Sequence, residues 1–214
     1  MPNSWPAMAD DELRLPHAEP GMAIGLLGGS FNPAHAGHRH LSLEMLRRLK
    51  LDRVWWLVSP GNPLKDHSNL GSLSDRISYA RTIANHPLID VTGFEATLST
   101  AYTADTLIAI KRHNPREKFV WLMGADNLAG FHRWHRWREI MRLVPVGVAD
   151  RPGFRHRALS SPAARAFARC RLDSSNAALL AVSKPPAWVL VDMPLSSLSS
   201  TEIRRRGPVE WGKG

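Results

Sequence analysis

The stretch GGSFNPAHAGH, residues 28–38, decides how this chain folds. It follows an apolar run at residues 22–27 that is typical of a buried strand, and leucine and methionine residues at helical spacing come after it. The sequence therefore predicts a strand that enters a glycine turn and a helix that leaves it. Because glycine has no Cβ, the backbone at Gly28 and Gly29 can approach a ligand closely.

The predicted helix start is suited to an anion. The first N–H groups of a helix have no partner within it, and the helix dipole adds partial positive charge there. His35 and His38 stand three residues apart at this point, so both side chains can face one space. No Gly-Lys-Ser/Thr of a P-loop follows, and the glycine spacing is not that of a dinucleotide fingerprint. We expect chemistry at phosphorus with two imidazoles; the alternative is a connecting turn with surface histidines.

Composition narrows the class of protein. The chain has 214 residues, 43% of them hydrophobic, which fits one α/β domain with a proper core. A net charge of +9 favours an anionic partner such as a nucleotide, a nucleic acid or a membrane surface. The single cysteine, Cys170, excludes an internal disulfide framework. We see no signal peptide and no run near the ~20 apolar residues that span a bilayer. We therefore expect a cytoplasmic protein with no membrane partner.

Strand-like and helix-like segments alternate along the chain. Predicted strands lie at 22–27, 54–58, 88–91, 119–123, 144–148 and 188–191, and predicted helices at 37–49, 73–85, 103–113, within 133–143, and in the alanine-rich stretch 160–181. This alternation predicts an α/β fold: a single Rossmann-like domain, with a doubly wound, mainly parallel sheet and helices on both faces. Residues 1–20 are predicted to be a mobile leader, with folding back onto the domain as the alternative. Residues 21–206 are predicted to be the domain and 207–214 a short tail.

Several motifs together resemble one family. The first stretch resembles the GGxFxPxHxGH signature of the HxGH nucleotidyltransferases, and the middle motifs resemble the bacterial nicotinate-nucleotide branch of that family. The matching segments follow the family's order over about residues 22–206: GGSFNPAHAGH at 28–38, NPLK at 62–65, AYTADTL at 101–107, GADN at 124–127 running on to Trp134, and SSTEIR at 199–204.

The resemblance implies adenylyl transfer from ATP to nicotinate mononucleotide, giving deamido-NAD and pyrophosphate in NAD biosynthesis. It assigns His35 and His38 as catalytic residues. It also implies a set of residues that bind ATP or its phosphates, namely Gly28, Gly29, Ser30, Phe31, Lys65, Ser200, Thr201 and Arg204. Mg2+ is expected as a cofactor that enters through the ATP phosphates, and we expect no protein-held metal site.

The resemblance further places nicotinate recognition at Tyr102 and Thr103, with an aromatic contact from Trp134 and Phe131. Free backbone N–H groups at a helix start favour a carboxylate over an amide, because an amide would turn its NH2 group towards them. Further nucleotide contacts are expected from Asn32, Gly124, Asp126 and Asn127. Many relatives have aspartate where this chain has Asn32, so the position keeps hydrogen-bonding capacity but loses a negative charge.

Two other functions stay open at this point. One is another HxGH nucleotidyltransferase, acting on nicotinamide mononucleotide, phosphopantetheine or a phosphorylated alcohol; the Tyr102–Thr103 motif argues against it. The other is a basic nucleic-acid-binding module that uses the arginine- and tryptophan-rich segment 131–138. Scattered basic residues and the lack of a known nucleic-acid motif argue against that. The oligomeric state does not follow from the sequence.

Overall fold

A computed structural model of the chain describes residues 10–61, 70–98, 100, 102–150 and 153–193. Within them, seven strands form one sheet in the order β3-β2-β1-β4-β5-β7-β6, and every paired strand runs parallel to its neighbour. Helices cover both faces of the sheet. This confirms the predicted α/β, Rossmann-like architecture.

The strands are β1 Ala23–Gly29, β2 Arg53–Val58, β3 Ile89–Thr92, β4 Lys118–Gly124, β5 Val146–Ala149, β6 Arg171–Leu172 and β7 Trp188–Val191. The α-helices are α1 Asp10–Leu13, α2 Ala36–Leu49, α3 Leu73–Ala84, α4 Thr103–His113, α5 Ala125–Gly130, α6 Trp137–Leu143, α7 Arg155–Leu159 and α8 Pro162–Ala166. Short 3-10 helices lie at Phe94–Thr97, Phe131–Arg133, Ala168–Cys170 and Ser174–Val182.

β1 occupies the middle of the sheet because it pairs with β2 on one side and with β4 on the other. From β1 the chain winds outward through β2 and β3, and it then returns to begin again at β4. Open parallel sheets bind ligands at such a change of direction, outside the carboxyl ends of the strands. The turn after β1 and the turn after β4 therefore flank one crevice.

The two faces of the sheet bury separate apolar clusters. Alternate residues of β1 point to opposite faces, so Leu27 packs with α2 and α3 while Leu26 packs with α4 and α6. Both are almost fully buried, and the neighbouring strand β2 has no exposed side chain after Arg53. Strands buried on both sides carry continuous apolar runs, which is why residues 54–58 do not alternate with polar residues.

β1 is longer than predicted. It continues to Gly29, so both glycines of the first motif end the strand instead of opening the turn. At Gly28 a Cβ atom would lie 2.4 Å from Trp121 Cη2, so the bare backbone here accommodates the Trp121 ring of the adjacent strand. At Gly29 a Cβ would meet only ordinary contacts, 3.5 Å from the Phe31 ring.

The prediction of one helical segment over 160–181 is wrong. A short helix starts with Pro162 at its first turn, β6 follows at Arg171, and Asp173 caps a 3-10 helix by accepting a hydrogen bond from the Ser175 N–H. Four of the seven alanines in this stretch are buried, namely Ala163, Ala164, Ala177 and Ala181. The alanine content thus agrees with the short helix at Pro162–Ala166 but not with the strand that follows it.

Within the predicted leader the structure describes α1, and hydrogen bonds join this helix and the residue after it to the domain. The Gly93 N–H donates to the Glu12 carbonyl at 2.8 Å, and the Thr92 hydroxyl donates to the Arg14 carbonyl at 2.7 Å. Leu15 and Ala18 are partly buried against the core. Residues 10–18 are thus packed on the domain. The predicted boundaries at 20 and 206 stay predictions.

Among the described residues, no helix is long and apolar enough to cross a bilayer.

Replacing Gly28 by alanine is expected to destabilise the fold by about 1–3 kcal/mol, since the buried Trp121 ring has no room to retreat. The matched substitution Gly29→Ala should cost under about 1 kcal/mol, because its Cβ meets ordinary contacts. Urea denaturation of both variants measures the difference. Equal losses would contradict the packing explanation.

Candidate active site

The turn after β1 delivers two histidines to the start of α2. His35 is the N-cap of that helix, and its Nδ1 accepts a hydrogen bond from the Gly37 N–H at 3.1 Å. The His38 Nδ1 accepts in return from the His35 N–H at 3.2 Å. The two side chains form a capping box of the kind that serine and glutamate usually make. The ring centroids lie 3.9 Å apart, so the predicted pair does meet.

This capping box fixes the tautomer of both rings. A neutral imidazole has one N–H and one acceptor nitrogen, and here each Nδ1 is the acceptor. Nε2 therefore carries the proton in the neutral form of His35 and of His38. Such a pair has two Nε2–H donors, which is the polarity that phosphate oxygens require.

The helix start offers fewer N–H groups than the sequence suggests. The box engages those of His35 and Gly37, and the His38 N–H donates to the His35 carbonyl at 2.9 Å. A phosphate contact therefore falls to the imidazole Nε2–H groups and to the turn ahead of them. Sequence reasoning missed this because histidine is not among the usual N-cap residues.

Aromatic rings support His38 from within the core. Phe31 has a positive φ of 44° and is 2% exposed, and its ring stacks on Trp56 with centroids 5.0 Å apart. The His38 ring lies 4.8 Å from the Phe31 ring. Trp56 Nε1 donates to the Ser42 hydroxyl at 2.8 Å, and that hydroxyl donates to the His38 carbonyl at 2.9 Å. Phe31 thus holds the turn and the ring, and its side chain offers almost no surface to a ligand.

Polar groups fasten the same turn to its surroundings. The Asn32 side chain is 6% exposed, and its Oδ1 accepts from the Gly71 N–H at 3.3 Å. The Ser30 carbonyl accepts from the guanidinium of Arg76 at 2.7 Å. Arg76 itself is 1% exposed. Nothing in the sequence distinguishes it from the exposed arginines around it.

A second group of predicted residues lies at the start of α4. Tyr102, and not Thr103, is the N-cap, because its carbonyl accepts from the N–H groups of Asp105 and Thr106. Within the described part of the chain, the N–H groups of Thr103 and Ala104 have no hydrogen-bond partner. The Tyr102 side chain is 42% exposed, and its ring lies 4.4 Å from that of His135. The α4 start and the segment before α6 therefore adjoin.

Trp134 lies in that segment, between two helices. It is partly buried, and its ring meets those of Phe131 and Trp121 edge-on, at 5.2 Å and 6.3 Å between centroids. Phe131 is 0% exposed, so in this conformation it supports Trp134 and has no surface for the nicotinate contact predicted for it. Trp134 retains exposed surface for such a contact.

One arginine fastens the Trp134 segment to α4. Arg136 adopts a left-handed backbone conformation, with φ of 55°, just before α6. Its guanidinium donates to Asp105 Oδ1 at 2.5 Å and to both Glu139 oxygens at 2.7 Å. Thr100 donates to the other Asp105 oxygen at 2.9 Å. Arg136 thus joins Asp105 in the first turn of α4 to Glu139 in the first turn of α6. These hydrogen bonds hold Tyr102 and Trp134 in one arrangement.

A buried carboxyl group lies under the start of α4. Glu95 is 4% exposed, and its Oε1 accepts a hydrogen bond from the Thr106 hydroxyl at 3.1 Å. Burial raises the pKa of Glu95 to about 7, and the Thr106 hydrogen bond offsets only part of that rise. Sequence reasoning missed Glu95, since a single glutamate after a short strand carries no pattern.

The remaining predicted contacts divide into two sets. Gly124 ends β4, Asp126 is half-buried in the first turn of α5, and Asn127 is exposed beside it. These three stand at the same carboxyl edge of the sheet as the histidines, because β1 and β4 are parallel neighbours. The other set, Lys65, Ser200, Thr201 and Arg204, lies outside the described residues. Among the described residues, no group of three or more His, Cys, Asp or Glu side chains could hold a metal ion.

Comparisons with known proteins identify the family of the chain. A profile of the cytidylyltransferase-like family matches residues 26–206. The chain is 56% identical to a "Probable nicotinate-nucleotide adenylyltransferase" of Methylorubrum extorquens over 185 residues, which is 86% of this chain and all of the relative. A protein of the same name from Ruegeria pomeroyi is 54% identical over 90% of each chain.

A solved structure shares the fold. It is the Plasmodium falciparum nicotinic acid mononucleotide adenylyltransferase complexed with NaAD, with a TM-score of 0.64 at 19% identity over 85% of this chain and 82% of that one. The chain belongs to the cytidylyltransferase-like family of nucleotidyltransferases. Within that family, the two bacterial relatives reported above are named probable nicotinate-nucleotide adenylyltransferases.

The raised pKa of Glu95 predicts a pH dependence of stability. As pH rises from 4.5 to about 7, the unfolded chain releases this proton while the folded chain keeps it, so the free energy of unfolding falls. Glu95→Gln removes the titration and keeps the Thr106 hydrogen bond. Relative to the wild type, the free energy of unfolding of the variant should rise by on the order of 3 kcal/mol between pH 4.5 and pH 8. Urea denaturation at several pH values measures both proteins.

The control is Glu139→Gln, because hydrogen bonding to Arg136 lowers the pKa of Glu139 instead of raising it. Any pH-dependent effect of that substitution should have the opposite sign, with stability lost relative to wild type as pH rises. A Glu95→Gln curve parallel to the wild-type curve would show that Glu95 is ionised in the folded protein at neutral pH.

Proposed function

We propose that the chain transfers the adenylyl group of ATP to nicotinate mononucleotide, giving deamido-NAD and pyrophosphate. The observation that carries the proposal is the two-histidine cap at the start of α2, which directs two Nε2–H donors from a turn at the sheet's change of direction. The high identity to proteins named nicotinate-nucleotide adenylyltransferase supports the choice of substrates.

In this reaction a phosphate oxygen of nicotinate mononucleotide attacks the α-phosphorus of ATP. A new P–O bond forms there, and the bond to the β-phosphate oxygen breaks, so that pyrophosphate leaves with the electron pair. The attacking oxygen is already an anion, and no strong base is needed. Positioning and stabilisation of the spreading negative charge therefore account for catalysis. His35 and His38 supply this by donating hydrogen bonds through Nε2.

The start of α4 is the proposed site for the nicotinate ring. The N–H groups of Thr103 and Ala104 suit a carboxylate, which can accept two hydrogen bonds. Arg136 fastens the segment that contains Trp134 to α4, and the partly exposed Trp134 ring can stack on the pyridine. The contacts predicted for Asn32, Gly124, Asp126 and Asn127 belong to the nucleotide portions, and those of Lys65, Ser200, Thr201 and Arg204 to the ATP phosphates.

Mg2+ is proposed to enter as the MgATP complex, in which it neutralises part of the triphosphate charge. The chemistry of Asn32 fits this, because an amide at that position can hydrogen-bond to the complex without bringing a carboxylate ligand of its own.

The direct test is pyrophosphate release from MgATP, with nicotinate mononucleotide and nicotinamide mononucleotide supplied in parallel. We expect a kcat/KM at least tenfold higher for the acid, since the amide would place an NH2 group against the N–H donors of α4. Preference for the amide would contradict the assigned nicotinate site. Absence of release with either compound would contradict the function.

Two substitutions at His38 separate its two roles. Asparagine can accept from the His35 N–H in place of Nδ1 but has no donor where Nε2 stands, so His38→Asn should keep stability and lower kcat by roughly 10²–10³-fold. Alanine makes neither contact, so His38→Ala should lose about 1 kcal/mol of stability as well as the Nε2–H donor, and its kcat should be no higher than that of His38→Asn.

Steady-state kinetics and urea denaturation of the two variants give both quantities. A kcat near that of the wild type in His38→Asn, together with a much lower kcat in His38→Ala, would mean that the cap, and not the Nε2–H donor, is what catalysis requires.

A further inference from the structure

The guanidinium of Arg76 is buried among main-chain carbonyls. It lies in the first turn of α3 and donates to four of them: Ser30 at 2.7 Å, Ser59 at 2.7 Å, Gly71 at 2.9 Å and Pro60 at 3.3 Å. Three separate segments are thereby joined: the turn after β1, the loop after β2 and the loop ahead of α3. A planar guanidinium with five N–H donors can do this, and a lysine ammonium cannot.

The charge of this side chain is not neutralised by a carboxylate among the described residues. Arg76 is 1% exposed, and burial alone lowers its pKa to about 10, with no acidic neighbour acting against that fall. It stays protonated at neutral pH. Burying an unpaired cation is unfavourable, and an apolar side chain of similar volume would pack there without that cost.

The Arg76 charge lies beside the turn that leads to the two histidines. Ser30, whose carbonyl Arg76 binds, lies between Gly29 at the end of β1 and Phe31, whose ring supports His38. The Gly29 carbonyl also accepts from the Ser59 N–H at 2.9 Å, so Arg76 completes the connection between the ends of β1 and β2. A charge in a low-dielectric surrounding acts on nearby anions more strongly than one in water.

We propose that Arg76 is a positioning residue for ATP, which fixes the turn that leads to the two histidines and adds positive potential behind the bound phosphates. This inference rests on the proposed function, because it takes the anion at that turn to be the triphosphate of ATP. It assigns Arg76 no contact with the substrate. Its effect should therefore appear in ATP affinity and in turnover, and not in recognition of the nicotinate nucleotide.

The test compares Arg76→Met, which keeps apolar volume but removes the charge, with the matched variant Arg81→Met. Arg81 lies on the same helix, is exposed and pairs with Glu12 at 3.7 Å. We expect Arg76→Met to weaken binding of MgATP alone, measured by calorimetry, by about tenfold or more. KM for nicotinate mononucleotide should change less than about twofold and kcat should fall, while Arg81→Met matches the wild type in all three.

Calorimetry with MgATP alone keeps this proposal separate from the proposed function. A wild type that binds MgATP but releases no pyrophosphate with nicotinate mononucleotide would overturn the function and leave the Arg76 comparison valid. Unchanged MgATP affinity in a folded Arg76→Met variant would overturn the positioning role, as would equal increases of KM for both substrates.

Arg76→Lys is the second variant, in case methionine prevents folding. Lysine keeps the charge but cannot donate to four carbonyls at once. We therefore expect Arg76→Lys to bind MgATP more weakly than the wild type. If Arg76→Met folds, it should bind MgATP more weakly than Arg76→Lys. Wild-type affinity in Arg76→Lys together with lower affinity in Arg76→Met would support the charge and overturn the fixing of the turn. Failure of both variants to fold would overturn the proposal, because Arg76 would then be a folding requirement.

Discussion

The parallel pairing of β1 with both β2 and β4 is the constraint on which the site depends. It places the first glycine turn in the middle of the sheet and opens a crevice where the winding changes direction. The Trp121 ring of β4 can lie over the backbone of Gly28 because that residue has no Cβ. A side chain there would displace the ring from the face of the sheet. The first glycine of the motif thus serves strand packing.

Three arginines hold the loops around this crevice. Arg76 binds carbonyls of the segments after β1 and β2, Arg136 joins α4 to α6, and Arg155 joins Asp150 after β5 to Asp192 after β7. The Arg155–Asp150 contact measures 2.6 Å. Loops at the carboxyl edge of a parallel sheet cannot share the ladder of hydrogen bonds, so side chains must fix them. A guanidinium suits the task because its donors point in several directions within one plane.

The sequence predicted most of the fold because apolar periodicity marks buried strands and amphipathic helices well. The predicted bounds of α4 and β7 agree with the observed ones, and β2 and α3 differ by a residue. The alanine content of 160–181 predicted one helical segment, but a strand at Arg171–Leu172 divides the stretch into short helical pieces.

Single residues whose roles depend on distant neighbours could not be predicted. Arg76 is buried only because four carbonyls from three segments converge on it, and Glu95 only because α4 covers it. The histidine motif predicted two neighbouring imidazoles, but the reciprocal Nδ1 acceptors that fix their tautomers depend on a backbone geometry that no residue pattern specifies. Likewise, the left-handed conformation of Arg136 has no counterpart in a pattern of apolar residues.

The hydrogen bonds from Thr92 and Gly93 to residues 12–14 also bear on how this sheet avoids joining another sheet. Edge strands offer unpaired N–H and C=O groups to a second chain, and proteins counter this by shortening or covering them. The strand at one edge, β6, has two residues, and the one at the other edge, β3, has four. At β3 the segment after α1 is bonded to the strand's carboxyl end. The segment ahead of the nucleotidyltransferase motifs therefore contributes to keeping the folded chain from strand-to-strand aggregation.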